Sequence, residues 1–408
     1  MRLLLVADLA YPDHGGGSHR LYYEVTKRLA QRGHEVHLVT GKVTPDAPDE
    51  EWIEGVCYHR LIRDRRNFVS HGLSYVLGAR RVFQQLAREG PFDAISAHYV
   101  LPTLGVLATR ERGATPIIFT FHGPWAGEFA VELEWGSQQG SAPARVLRMA
   151  KTGAIVSVAR VLEWFALWRS ARVHALSSYM ANLAANQYHV PLARRVIIPG
   201  GVDTEKFSPP PDKAAARATL GLPPERPVLL TVRRLYARMG LTNLVQAMRQ
   251  VVQERPDALL LIGGKGPLQP HLETLIEQSG LEENVRLLGF VPEEDLPLYY
   301  QAADLFVLPS VELEGFGLVT LEALASGTPV LGTAVGGTVE ILQRLDPTLL
   351  VPSANPSEIA EGILRFLANP APSPEACRRY VLGHYSWDRM VDALEALFQN
   401  PSVSSGPP

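Results

Sequence analysis

Residues 305–330 read LFVLPSVELEGFGLVTLEALASGTPV, and this stretch decides the fold. Leu305-Phe306-Val307-Leu308 is a short, wholly apolar run, as a strand buried on both faces of a parallel sheet requires. Pro309-Ser310 ends it, and Glu314-Gly315-Phe316-Gly317 forms a glycine-flanked loop. A helix carrying Leu318, Leu321, Glu322 and Leu324 follows, stopped by Gly327 and Pro329 before the next strand at Val330-Leu331. Strand, helix and strand in this order make a βαβ unit with a crossover helix. Open α/β sheets bind ligands at the carboxyl ends of their strands, where this loop lies. The free N–H groups of Gly317 and Leu318, with the positive helix end behind them, form an anion site suited to a diphosphate.

The same alternation runs outward in both directions. Upstream, strands are expected at Leu3–Ala7, Glu35–Thr40, Ala94–Ala97, Ile117–Phe121, Val173–Leu176 and Val196–Ile198. Leu21, Val25 and Leu29 stripe a helix that Gly33 stops, and Ser18 is its expected cap. Ser208-Pro209-Pro210-Pro211 interrupts the pattern, which restarts at Val228–Val232 and continues through Ala258–Ile262, Val285–Leu288, Leu305–Leu308, Val330–Leu331 and Leu349–Val351. The expected fold is α/β: two Rossmann-like, doubly wound parallel-sheet domains facing a cleft. The expected bounds are 1–205 for an acceptor-binding domain and 206–384 for a nucleotide-sugar-binding domain. A helix at 385–400 is free to pack back on the first domain, and 401–408 is expected to be a disordered tail.

Composition narrows the function. The chain has 408 residues, too many for one ordinary core, with 46% hydrophobic and 20% charged residues. A net charge of −3 gives no general reason to expect nucleic-acid binding. Its two cysteines, Cys57 and Cys377, form no CxxC pair, which fits a reduced compartment. No secretory leader or membrane-length apolar run is visible, so a cytoplasmic protein is expected. The segment 145–172 mixes Arg145, Arg148, Lys151, Arg160, Arg169 and Arg172 with Val146, Leu147, Ile155, Trp164, Phe165 and Trp168. Such a mixture can lie on an anionic inner-membrane face; a pair of packed helices is the alternative.

Carboxylates accept hydrogen bonds from vicinal hydroxyls, which sugars supply in pairs. Glu314 and Glu322 are therefore candidates for holding a sugar and a ribose, with solvated helix charges as the alternative. Glu314-Gly315-Phe316-Gly317-Leu318, then Glu322-Ala323, Gly327-Thr328-Pro329-Val330, Gly336-Gly337 and Glu340-Ile341-Leu342 resemble the Glu–seven residues–Glu signature of the family 4 retaining glycosyltransferases. The resemblance extends over most of the chain and implies the GT-B fold. It implies that Glu314 binds hydroxyls of a donor sugar, that Glu322 binds the ribose, that the backbone of Phe316, Gly317 and Leu318 holds phosphate oxygens, and that Gly315 belongs to the same donor site.

The same resemblance places a diphosphate-gripping arginine at Arg234, in Thr231-Val232-Arg233-Arg234-Leu235. Met239 fills the family's lysine slot, and Arg238, one residue earlier, is the expected substitute. Gly264 and Gly266, in Gly263-Gly264-Lys265-Gly266-Pro267, resemble the family's nucleotide-lining turn. Gly15-Gly16-Gly17 permits close backbone approach, and the resemblance puts Gly16 and Gly17 near the donor phosphates. His122, at a strand end in Phe119-Thr120-Phe121-His122-Gly123, resembles the histidine that faces the sugar; His98 in Ser96-Ala97-His98-Tyr99 is a candidate acceptor residue. One departure is Pro199-Gly200-Gly201-Val202-Asp203, where the family often has asparagine at the second position.

The expected catalytic set is His122, Arg234, Arg238 and Glu314. No Asp-x-Asp pair occurs, so neither metal nor cofactor is expected; arginines and the helix terminus would meet the leaving charge. The expected substrates are a UDP- or GDP-sugar and an acceptor of unassigned identity, a glycan, lipid-linked glycan or small metabolite. A nucleotide-sugar epimerase and a non-catalytic sugar-nucleotide-binding module remain alternatives on the same scaffold. A nicotinamide-linked oxidoreductase fits less well, because no complete dinucleotide fingerprint follows a strand.

Overall fold

Apolar runs such as Leu3-Leu4-Leu5-Val6, buried on both faces, form the central strands of two parallel sheets. The structure is a computed structural model that describes residues 1–64, 66–127 and 142–401, with side chains of 142–151 outside the description. The chain divides into two compact units. One is Met1–Pro199 with the chain from Asp388 onward, and the other is Gly200–Trp387.

Among the described residues the first unit holds eight strands: β1 (Arg2–Val6), β2 (Glu35–Gly41), β3 (Glu50–Ile53), β4 (Val56–Leu61), β5 (Ala94–Ala97), β6 (Ile117–Thr120), β7 (Arg172–Ala175) and β8 (Arg195–Ile197). Their order is β3-β4-β2-β1-β5-β6-β7-β8, parallel except for β3 against β4. The helix Gly17–Gln31 buries Leu21, Val25 and Leu29, the stripe read from the sequence. Its N-cap is Gly16 and makes no side-chain cap bond, so Ser18 lies inside the first turn rather than capping it.

β3 and β4 were not among the expected strands. β3 is the solvent-facing edge, Glu50-Glu51-Trp52-Ile53, and lacks an apolar alternation. It joins β4 through Glu54 and Gly55, both at positive φ (50° and 79°), the geometry of a two-residue hairpin turn. The turn carries Glu-Gly instead of the commoner Asn-Gly, so its signal is weak. Charged side chains on β3 also blunt the sheet edge against unwanted pairing.

The second unit holds β9 (Val228–Val232), β10 (Leu259–Gly263), β11 (Val285–Gly289), β12 (Leu305–Leu308), β13 (Val330–Thr333) and β14 (Leu350–Val351). All pairs are parallel and the order is β11-β10-β9-β12-β13-β14. In each sheet the order reverses direction beside the unit's first strand, at β1/β5 and at β9/β12. Those switch points are where ligands settle in doubly wound sheets.

The segment 145–172, for which a pair of packed helices was the alternative reading, is covered up to Arg169 by one continuous helix, Ala142–Arg169. Among the described residues no helix is long and apolar enough to cross a membrane. The last helix, Trp387–Gln399, gives its acids to the first unit. Arg32 donates to Asp392 at 2.6 Å and Glu395 at 3.0 Å, and His34 meets Glu395 at 2.9 Å. Of the expected tail, residues 402–408 lie outside the described residues.

Candidate active site

In the second unit, β9 and β12 deliver their next residues to one place. Arg233 follows β9, is buried, and donates to Glu314 Oε2 at 2.7 Å and to Ser310 Oγ at 2.9 Å. Ser310 O–H in turn donates to the same Oε2 at 2.8 Å. Arg233 and Ser310 thus donate to one carboxylate oxygen, and among the described residues no donor reaches Oε1 of Glu314. Burial pulls the Arg233 guanidinium below the usual arginine range; Glu314 opposes this, and Arg238 and Arg234 add to it.

The loop that carries Glu314 is braced on both sides. Arg238 donates to Leu313 O at 3.1 Å and accepts from Val311 N–H at 2.9 Å. Leu313 has positive φ (54°), an uncommon conformation for a leucine. Gly337 N–H donates to Glu314 O at 2.8 Å, and Gly336 (φ 72°) packs so closely that a Cβ there would lie 2.0 Å from that oxygen. The helix Leu318–Ala325 starts at Gly317, in the left-handed region (φ 83°). The hydroxyl of Thr320, in its first turn, is buried with no partner among the described residues. One turn on, Glu322 is buried and its Oε2 accepts from Tyr300 O–H at 2.9 Å.

The structure therefore brings Arg238, Glu314 and the Gly315–Leu318 loop together. Phe316 is buried there and lies against Gly200 of the Pro-Gly-Gly turn. Arg234 sits differently: it is exposed, with its guanidinium 5.2 Å from the ring of Tyr236. Arg233 and Ser310 are the residues the sequence reading missed. The available signal was position: each follows a central-strand end at the switch point, and Arg233 precedes the chosen Arg234 by one residue, which reverses the side-chain direction. Gly264 and Gly266 have a packing reason. A Cβ at either would collide with Arg233 O (1.9 Å) or Leu235 O (2.4 Å), where the two strand-end loops cross.

In the first unit, Gly16 and Gly17 open the first helix, with His14 and His19 in ring contact beside them (3.2 Å between Nδ1 atoms). His98 follows β5 and His122 follows β6. His98 Nδ1 and His122 Nε2 are 3.1 Å apart, Ser96 Oγ lies 3.0 Å from His98 Nε2, and Tyr22 packs on both rings. Burial, then the nearby His174 and His19, pushes His122 down to about 3. Burial, with His122 and His174, also puts His98 well below the usual histidine range. Both rings are therefore neutral at pH 7 and act as hydrogen-bonding groups without charge.

Residues 212–384 match the family described as Glycosyl transferases group 1, and residues 15–206 match Glycosyltransferase Family 4. The D-inositol 3-phosphate glycosyltransferase of Thermobispora bispora is 30% identical over 372 residues, spanning 87% of this chain and 82% of that protein. Sucrose-phosphate synthase from Thermosynechococcus elongatus superposes with a TM-score of 0.81 at 25% identity, over 98% of each chain. Anabaena HepE in complex with UDP-glucose gives a TM-score of 0.72 at 17% identity, over 98% of this chain and 100% of that one. The architecture is thus the GT-B fold, and the chain belongs to the family 4 glycosyltransferases.

Proposed function

We propose that this enzyme transfers a sugar from a UDP-sugar to an acceptor hydroxyl with retention at the anomeric carbon, and without a divalent ion at the leaving group. The observation that carries the reading is the Arg233–Glu314–Ser310 cluster beside the helix start at Gly317. Glu314, held through Oε2, keeps Oε1 for hydroxyls of the donor sugar. Glu322, oriented by Tyr300, takes the ribose. The diphosphate lies on the amides of Gly317 and Leu318, with Arg238 and the exposed Arg234 supplying charge. In the first unit, Gly16, Gly17, His122 and His98 are assigned to ligand binding, the two histidines as neutral hydrogen-bonding groups.

In the reaction the bond from the anomeric carbon to the phosphate oxygen breaks. The acceptor hydroxyl attacks on the same face, and its proton passes to the departing phosphate. The developing charge is met by preorganised N–H groups and arginines, whose individual removal from such sites costs roughly 10²–10³ in rate. The Thermobispora relative's name makes a phosphorylated polyol the first acceptor to assay.

The test is transfer from UDP-sugars, with the product anomer read by NMR. Glu322→Ala is expected to raise the donor KM by about tenfold or more, through loss of binding shared by ground and transition states. Arg238→Ala is expected to lower kcat by about 100-fold, and added Mg²⁺ or Mn²⁺ to leave the rate unchanged. An inverted product, or both variants as active as the parent, would overturn the proposal.

A lipid-linked acceptor is favoured by one surface. Val158, Val161, Trp164 and Trp168 are exposed along the helix Ala142–Arg169, and the two indoles stack at 5.9 Å. Tryptophan and cationic residues in this mixture suit an anionic lipid face. Co-sedimentation with anionic vesicles that is lost in Trp164→Ala/Trp168→Ala is expected, and no sedimentation of the parent protein would remove this reading. The side chains of Arg145, Val146, Leu147, Arg148 and Lys151, also part of the expected contact, lie outside the described residues.

A further inference from the structure

Away from the candidate active site, the first sheet carries a cluster the proposed reaction does not use. His37 on β2 pairs in register with Cys57 on β4, and His59 is two residues further along β4, so all three project from one face. All three are buried, and one ligand atom from each lies within 4.8 Å of the others. They stand toward the amino ends of their strands, whereas His98, His122 and the glycine loop follow the carboxyl ends of theirs.

Three contacts run in a line. Glu35 Oε1 meets His37 Nε2 at 2.9 Å, His37 Nδ1 meets His59 Nε2 at 3.0 Å, and His59 Nδ1 meets Glu50 Oε2 at 3.5 Å. Two neutral imidazoles have only two N–H protons to share among these three contacts. If each carboxylate draws one, the facing nitrogens Nδ1 and Nε2 present two lone pairs to each other across 3.0 Å. A cation between the rings would satisfy both lone pairs. A histidine whose outer N–H is held by a carboxylate and whose inner nitrogen is bare is the usual form of a metal-ligating imidazole.

Charge and softness agree. Glu35, Glu50 and Glu89 gather around Cys57 and the two rings, while Arg2, bound to Glu35 at 2.6 Å and Glu89 at 3.1 Å, is the one cation these contacts join. Three carboxylates against one guanidinium favour a dication. Two imidazoles and a thiol select zinc among the common divalent ions. Zinc bonds of roughly 2.0–2.3 Å put tetrahedral ligand atoms about 3.3–3.7 Å apart, so the set needs only about 1 Å of side-chain adjustment.

We propose that His37, Cys57 and His59 form a zinc site that ties β2 to β4, with a water in the fourth position and Glu35 and Glu50 holding the outer ring nitrogens. On binding, the Cys57 S–H bond breaks, the zinc–sulfur bond forms, and the proton leaves to solvent, with no change of oxidation state.

The test uses the full chain without a histidine tag, stripped of metal and titrated with Zn²⁺ and with Co²⁺. One Co²⁺ per chain is expected, with a thiolate-to-cobalt charge-transfer band, visible bands of tetrahedral cobalt, and a higher melting temperature with Zn²⁺. Cys57→Ser should abolish the charge-transfer band and weaken Zn²⁺ binding about 100-fold, while Cys377→Ser, a change in the second unit, should keep both. If Cys57→Ser does not fold, the cobalt spectra of the parent and of Cys377→Ser decide. No saturable binding, binding without a thiolate band, or a band that survives Cys57→Ser would overturn the site.

Discussion

The ion pair of Arg233 with Glu314 sets what each neighbouring substitution should do. Both groups are largely buried, with side-chain exposures of 7% and 14%. Removing the acid leaves a guanidinium desolvated and uncompensated, which typically costs about 3–5 kcal/mol. Glu314→Ala is therefore expected to lower the melting temperature markedly. Glu314→Gln, which keeps an acceptor for Arg233 and Ser310, should cost less. Arg234→Ala, on an exposed side chain, should leave thermal stability within about 0.5 kcal/mol of the parent. Equal melting temperatures for the two glutamate variants would show that the pair has little structural weight. This is also where sequence reading reached its limit. Glu314 and Glu322 stood out because they flank a helix start after a strand and match the spacing of the resembled family signature. The choice between Arg233 and Arg234 turns on which neighbour points inward, and a strand that ends at Val232 does not settle that from composition.

The loops that carry the site depend on backbone shapes only glycine adopts readily. Gly240 (φ 72°) lets the chain pass Pro309, and a Cβ there would lie 1.7 Å from its carbonyl oxygen. Gly317 (φ 83°) starts the site helix, where a Cβ would meet the Thr338 hydroxyl at 2.6 Å. The left-handed conformation alone costs an alanine roughly 1–2 kcal/mol. Gly240→Ala should therefore destabilise the second unit more than Gly317→Ala, because a carbonyl cannot rotate away as a threonine hydroxyl can. Chemical-denaturation midpoints would check the order, and the reverse order would refute the packing argument. Elements with one dominant period were legible: the Leu21–Val25–Leu29 stripe and the apolar central strands. The β3–β4 hairpin was not, because β3 is a charged edge whose partner supplies most of the burial. The segment 145–172, read as a lipid-facing mixture with a pair of packed helices as the alternative, lies up to Arg169 in one helix, Ala142–Arg169.

Across the whole molecule, buried neutral histidines should govern the response to acid. His98, His122 and His174 all sit in the first unit. Burial lowers each of them, His122 to about 3 and His174 to about 4. In the unfolded chain their proton affinity returns to about 6.5. Below that pH the unfolded state binds more protons than the folded one, so stability is full above about pH 6.5 and declines as pH falls toward 4. Five of the six tryptophans precede residue 200, so fluorescence-detected unfolding reports chiefly on this unit. Denaturation midpoints that stay flat from pH 7.5 to 4.5 would contradict the expectation. The repeated α/β order was readable in the alternation of strands and helices along the chain; the return of the final helix to Arg32 and His34 was not, because it depends on ion pairs between residues more than 350 positions apart. That return has a consequence for biosynthesis. The ribosome releases Arg32 and His34 early but Asp392 and Glu395 only after the entire second unit, Gly200–Trp387, has emerged. The first unit must therefore linger unfinished until the second has been made, and a polypeptide truncated before Asp388 would leave it without its closing helix, a ready mark for proteolytic clearance.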